Sequence, residues 1–193
     1  MVEPENQNPH STPEPPRTAR LKTFLRNHGI TFVLLAAFAW FWLRPPATVT
    51  DVNRAAPPWA VQLGDGRTLS SAQLKGKVVL VNYWATWCPY CLKEMPTIEE
   101  FWQDHRAQGF EVLAVSVDDP PEKIAQYMKD HGHHFPAAAM DPSIYAAFGR
   151  TDSIPASFVV DAEGVIRHKI AGQVHYPRLE KLVLPLLAKA RQP

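Results

Sequence analysis

Cysteine is almost missing from this chain: 193 residues contain two, Cys88 and Cys91. A bridge between them would close a loop of four residues, and so small a loop adds little stability through chain entropy. No second Cys-x-x-Cys is present, so half of a zinc site would lack its two further ligands. An excess of either charge is missing too. Lys and Arg total 20 against 19 Asp and Glu, a formal net charge of +1, which gives no reason to expect a nucleic-acid partner. No cysteine lies near the N-terminus, which argues against a lipid-anchored form.

The two cysteines sit in Trp87-Cys88-Pro89-Tyr90-Cys91, a spacing suited to a reversible dithiol/disulfide couple in which one sulfur attacks and the other resolves. The run Lys77–Thr86 is apolar and β-rich and predicts a buried strand ending just before the first cysteine. Pro89 suits the first turn of a helix, and the pattern Leu92, Met95, Ile98, Trp102 continues it to about Arg106, before Gly109 stops it. Cys88 is thereby placed at a helix N-terminus, where free N–H groups and the helix dipole favour a thiolate. It is the expected nucleophile, and Cys91, one turn further in, the resolving thiol. Glu94 follows Cys91 by three residues on nearly the same helix face. Phe110–Val117 predicts a second strand, parallel to the first because a helix intervenes. Helices are expected over Glu122–Gly132, Ser143–Phe148 and Pro177–Lys189, with a hairpin from Phe158–Val160 to Val165–Ile170.

The run Val79–Pro96, which contains Asn82-Tyr83-Trp84-Ala85-Thr86-Trp87-Cys88-Pro89-Tyr90-Cys91, resembles the active-site segment of the TlpA/ResA-like branch of the thioredoxin superfamily. Leu63–Lys77 is similar to that branch's hairpin entry, and Ser153-Ile154-Pro155-Ala156 to the loop carrying the superfamily's cis-proline. The resemblance implies an α/β thioredoxin-like fold over 59–193, with a central mixed sheet flanked by helices and a strand–helix insertion between Cys91 and Pro155. It implies catalytic roles for Cys88 and Cys91, with Glu94 as proton acceptor and donor. Trp87, Pro89, Tyr90, Ile154 and Pro155 are implied as active-site support and substrate contacts. Asn82 stands where thioredoxin itself carries a buried aspartate; an amide cannot titrate, so any acid–base work falls to Glu94. Ala156 departs from the hydroxyl residue often found in the branch. No cofactor is implied beyond the Cys88–Cys91 disulfide, and no metal. A peroxiredoxin pattern aligned on Cys88 would need proline and threonine where this chain has Val81 and Ala85.

The N-terminal third reads differently. Residues 1–26 begin with a Pro-, Glu- and Thr-rich stretch lacking apolar periodicity, expected to be disordered. Residues 27–43 give 17 uncharged residues between Arg26 and Arg44, at the lower limit for a membrane-spanning helix. Trp40 and Trp42 suit an interface, and the basic residues lie mainly on the N-terminal side, which predicts a cytoplasmic N-terminus. Ala37-Phe38-Ala39 offers a signal-peptidase-like alternative, but the apolar run continues unbroken to Leu43. Residues 44–58 read as a Pro/Ala-rich tether.

Two function classes stand. The first is a membrane-tethered thiol–disulfide oxidoreductase facing the periplasm from a bacterial inner membrane. The resemblance implies a reductase, supplied by a membrane thiol-transfer electron donor and acting on protein thiols such as those of apocytochrome c. The second is a copper(I)-binding module using Cys88, Cys91 and the cluster His131, His133 and His134. The cluster also reads as a solvated helix C-cap. Asp118-Asp119 and Glu99-Glu100 read as a solvated loop and a solvated helix face.

Overall fold

Strand β4 (Val78–Trp84) is buried at every position, as its nearly continuous apolar run requires of a strand covered on both faces. It lies inside a six-stranded sheet of order β1-β8-β7-β4-β5-β6. The other strands are β1 (Thr48–Ala55), β5 (Phe110–Ser116), β6 (Ala137–Ala139), β7 (Ala156–Val160) and β8 (Val165–Ala171). The computed structural model describes residue 29, residues 31–38 and residues 48–191. Strand β4 pairs in parallel with β5 and antiparallel with β7, so the sheet is mixed. A small antiparallel pair, β2 (Ala60–Gln62) and β3 (Thr68–Ser70), corresponds to the hairpin entry.

Alternation along β4 divides the core in two. Val78, Leu80 and Trp84 join one cluster, and Val79, Val81 and Tyr83 the other. The first cluster is closed by α2 (Pro89–His105), α3 (Pro121–Asp130) and α5 (Tyr176–Ala190). The second contains Trp59, Val61, Phe158 and Phe148, the last on α4 (Pro142–Phe148). Phe101 of α2 meets Phe110 and Tyr176 edge-on, each at 5.1 Å between ring centroids. Such a buried aromatic contributes on the order of 2–3 kcal/mol by removal from water. Asn82 shares its face of β4 with Leu80 and Trp84, and that face looks onto α2. Between α2 and β7 the chain adds β6 and α4, which supplies the expected strand–helix insertion.

Helix α2 begins and ends as its sequence dictates. Cys88 is the N-cap, Pro89 occupies the first turn, and Pro96 lies inside the helix. A short 3-10 turn follows, and Gly109 at φ 94° closes it, a backbone angle that glycine adopts without penalty.

Two expectations about the N-terminal third meet the structure differently. Helix α1 (residues 31–38) is apolar and exposed; apart from residue 29, the rest of the 27–43 reading lies outside the described residues, as does all of 1–26. Among the described residues no helix is long and apolar enough to cross a membrane. The tether reading of 44–58 is corrected over part of its length. Thr48–Ala55 is an edge strand paired antiparallel with β8, from Thr48 opposite Ala171 to Ala55 opposite Val165. Its side chains are almost all exposed, so no apolar run betrays it; backbone hydrogen bonds hold it. An irregularity between Asp51 and Arg54 places Asn53 at φ 50°, a left-handed angle that asparagine tolerates. Arg167 donates to the Asn53 side chain at 3.2 Å, and Arg54 to the Ala147 carbonyl at 2.9 Å.

Candidate active site

The turn from β4 into α2 brings Cys88 and Cys91 together as a disulfide, with Cα atoms 5.3 Å apart. The Cys91 N–H, in the first turn of α2, points at the Cys88 sulfur at 3.3 Å. A helix-start amide aimed at a sulfur stabilises it as a thiolate. Cys88 is 4% exposed and Cys91 fully buried, so Cys88 is the sulfur an incoming group can reach. Around it Trp87 and Tyr90 stand out at 59% and 60% exposure, a wide apolar rim beside the reactive sulfur.

The Ile154–Pro155 bond is cis, and the Ile154 carbonyl oxygen lies 3.9 Å from the Cys88 sulfur. Ile154 itself is half-buried and packs against the two core clusters. The loop after β8 ties these parts together. Gly172 N–H donates to the Pro155 carbonyl at 2.9 Å, and Gln173 donates to the Tyr90 carbonyl at 2.8 Å.

Glu94 is 1% exposed. One oxygen accepts from the Asn82 amide at 2.7 Å and the other from the Val174 N–H at 2.7 Å. The Asn82 amide also donates to the Ser157 hydroxyl at 3.0 Å, its register partner on β7. Burial pushes the Glu94 carboxyl up to about 8, against the two hydrogen bonds that favour its charged form. A buried carboxyl titrating near neutrality, one helical turn from a cysteine pair, is fitted to take and return a proton.

The approach to the cysteines is fixed by a carboxylate that the sequence reading leaves in solvent. Asp119 is 5% exposed. It accepts from the Thr86 N–H, the Thr86 hydroxyl and the Ser116 hydroxyl, each at 2.7 Å, and pairs with Lys123 at 2.7 Å. These bonds hold its carboxyl down to about 2, against the burial that would raise it. Asp118 remains at the surface and accepts from the Trp87 indole at 3.0 Å. The reading of Glu99 as a solvated helix carboxylate is corrected as well. It is buried beneath the α3–β6 connection, where it accepts from the His134 N–H at 2.8 Å and from Gln103 at 2.6 Å.

The structure brings Trp87, Cys88, Pro89, Tyr90, Cys91, Glu94, Ile154 and Pro155 together at one end of the sheet, with Asn82 beneath them. The contributors that sequence reasoning misses are Asp119, Ser157 and the Val174 backbone. Asp119 carries a faint sequence signal, three residues after Ser116 and four before Lys123; the other two carry none.

A model of the Redoxin family matches residues 51–183. This chain belongs to the Redoxin family. Within it, the chain is 30% identical over 131 residues to the thiol-disulfide oxidoreductase ResA of Bacillus anthracis, covering 67% of this chain and 75% of that protein. The ResA protein of Bacillus subtilis (strain 168) is 30% identical over 118 residues, 61% of this chain and 65% of the relative. A thiol:disulfide interchange protein of the thioredoxin family from Chlorobium tepidum TLS superposes with a TM-score of 0.66 at 31% identity, over 72% of this chain and 99% of that one. The redoxin domain is accordingly a ResA-like thiol–disulfide oxidoreductase with a thioredoxin-like fold.

The histidine cluster lies at the C-terminal end of α3 and in the segment that follows it. His131 caps α3, is exposed, and stacks on Tyr127 at 4.1 Å. His133 continues the stack toward Phe135, and burial lowers its proton affinity. His134 turns to Glu99 at 2.9 Å. Among the described residues no group of three or more His, Cys, Asp or Glu side chains is placed to hold a metal ion.

Asp119→Ala is expected to destabilise the oxidised protein by about 3 kcal/mol, because buried donors from Thr86 and Ser116 lose their acceptor. Urea melts measure this; a loss below about 1 kcal/mol would show the carboxylate to be replaceable by water.

Proposed function

We propose that this oxidoreductase is tethered by residues 27–43 to a bacterial inner membrane and reduces disulfides of proteins on the periplasmic side. Cys88 attacks the substrate disulfide and releases one substrate thiol, forming a mixed disulfide. Cys91 then attacks the Cys88 sulfur, freeing the second substrate thiol and leaving the Cys88–Cys91 disulfide. Glu94 takes the Cys91 thiol proton as that attack begins, and the departing substrate sulfur is protonated in turn. A membrane thiol-transfer protein restores the dithiol. The extended substrate segment lies along the Ile154–Pro155 backbone, between Trp87 and Tyr90.

The observation that carries the reading is the pairing of a reachable helix-start sulfur with a sealed partner and a buried carboxyl near neutrality. The membrane tether rests on the apolar run between Arg26 and Arg44 and the basic residues before it. Apocytochrome c fits the substrate class, an unfolded chain with a closely spaced cysteine pair.

A Cys91→Ser variant expressed in cells is expected to accumulate mixed disulfides through Cys88 with periplasmic proteins, which mass spectrometry of the trapped adducts would name. Equilibration against glutathione redox buffers tests direction. A potential near about −120 mV, that of a dedicated oxidant, would reverse the assignment.

A further inference from the structure

Asn82 is fully buried, and its amide is used unevenly. Its nitrogen donates twice, to Glu94 and to Ser157, whereas its oxygen has no hydrogen-bond partner among the described residues. A side-chain amide has a donor end and an acceptor end of nearly equal size. Turned end for end, Asn82 would present its oxygen to both neighbours. A carboxylic acid O–H on Glu94 could then donate to that oxygen, and the Ser157 hydroxyl could do the same. Each orientation leaves one amide atom unpaired, so hydrogen-bond count alone favours neither. What separates them is whether Glu94 carries a proton. A carboxylate needs the donor end; a carboxylic acid needs the acceptor end.

We propose that Asn82 is a positioning residue whose amide turns over as Glu94 gains and loses its proton, with the Ser157 hydroxyl reversing from acceptor to donor alongside it. This rests on Glu94 being the proton carrier proposed above. The Val174 N–H donates to the second Glu94 oxygen at 2.7 Å, a contact on which the turn of the amide makes no demand. The polar contacts of the carboxyl among the described residues are the Asn82 amide and the Val174 N–H. Ser157 lies behind the amide on β7, and the Cys88–Cys91 disulfide stands at the head of the same helix, both uncharged. His175, next along the loop from Val174, is exposed, and among the described residues the groups acting on the Glu94 carboxyl include no charged side chain. An ionised aspartate at position 82 would accept from the protonated form of Glu94 alone, and a leucine would serve neither form.

The test uses the intact oxidised protein, in which the cysteines do not titrate. NMR would follow the Glu94 carboxyl carbon and the Asn82 side-chain NH2 resonances from pH 5 to 10. The expected result is that both move with one midpoint. Asn82→Ala removes a hydrogen bond from both forms of Glu94, so the carboxyl midpoint is expected to move by less than about one pH unit. Asn82 resonances that stay constant while the Glu94 carbon titrates would overturn the proposal, without needing a variant that folds. So would an Asn82→Ala midpoint raised by well over about one pH unit, the mark of a fixed donor that serves the charged form alone. Failure of the Glu94 reading looks different: Glu94→Gln would keep the wild-type pH profile of disulfide reduction.

Discussion

Cys88→Ser is expected to lower insulin-type disulfide reduction to the uncatalysed background, and Cys91→Ser to permit the first thiol exchange and then stall. The asymmetry follows from placement within one turn of helix. Cys88 caps α2 and receives the Cys91 N–H at 3.3 Å, so its thiolate is stabilised where a substrate can reach it. Cys91 is sealed beneath, with access to one sulfur, that of Cys88. Single-turnover assays with a chromophoric disulfide separate the two variants: Cys91→Ser releases one equivalent of thiol and stops, whereas Cys88→Ser releases none. Equal activity of the two variants would mean that either sulfur can attack, contrary to their burial.

The second large effect is on stability against pH, and its sign is opposite to that of most carboxylates. Glu94 has a folded-state value of about 8 against 4.5 for an ordinary glutamate. The folded protein therefore binds this proton more tightly than the unfolded chain. Its contribution is complete below about pH 4.5 and is lost as pH rises toward 8. Across that window the oxidised protein is expected to lose on the order of 5 kcal/mol from this group. Glu94→Gln cannot ionise and should abolish that slope, making the variant the more stable protein at pH 9 and nearly equal to wild type at pH 5. Urea melts at both pH values decide it. Parallel losses in the two proteins would place the titration elsewhere.

The residues legible in sequence are those whose meaning is local. The β4 run, Pro89 at the helix start and the three-residue step from Cys91 to Glu94 all lie within about twenty residues, and period and spacing suffice to place them. Strand β1 is not legible, because an exposed edge strand has no buried face to pattern its sequence; its pairing is with β8, more than a hundred residues on. Asp119 and Glu99 read as solvated for a related reason. A carboxylate is solvated unless something distant covers it, and the distant partners here, Thr86 and His134, lie 33 and 35 residues away. Ser157 is unremarkable until the β4–β7 register sets it beside Asn82. The histidines divide by the same rule: His131 behaves as a local helix cap, while His134 is claimed by a carboxylate on another helix.

The bond from the Val174 N–H to Glu94 spans 80 residues of sequence, and chain order gives it a consequence in time. A ribosome completes the cysteine motif first and needs roughly 4 to 16 seconds to add the residues that reach Val174. Throughout that interval the thiols are already present, but Glu94 is an ordinary solvated carboxylate with an ordinary affinity for protons. The nascent chain therefore acquires its sulfur chemistry and its acid–base chemistry in two instalments, and the second does not arrive before the last strand has been synthesised.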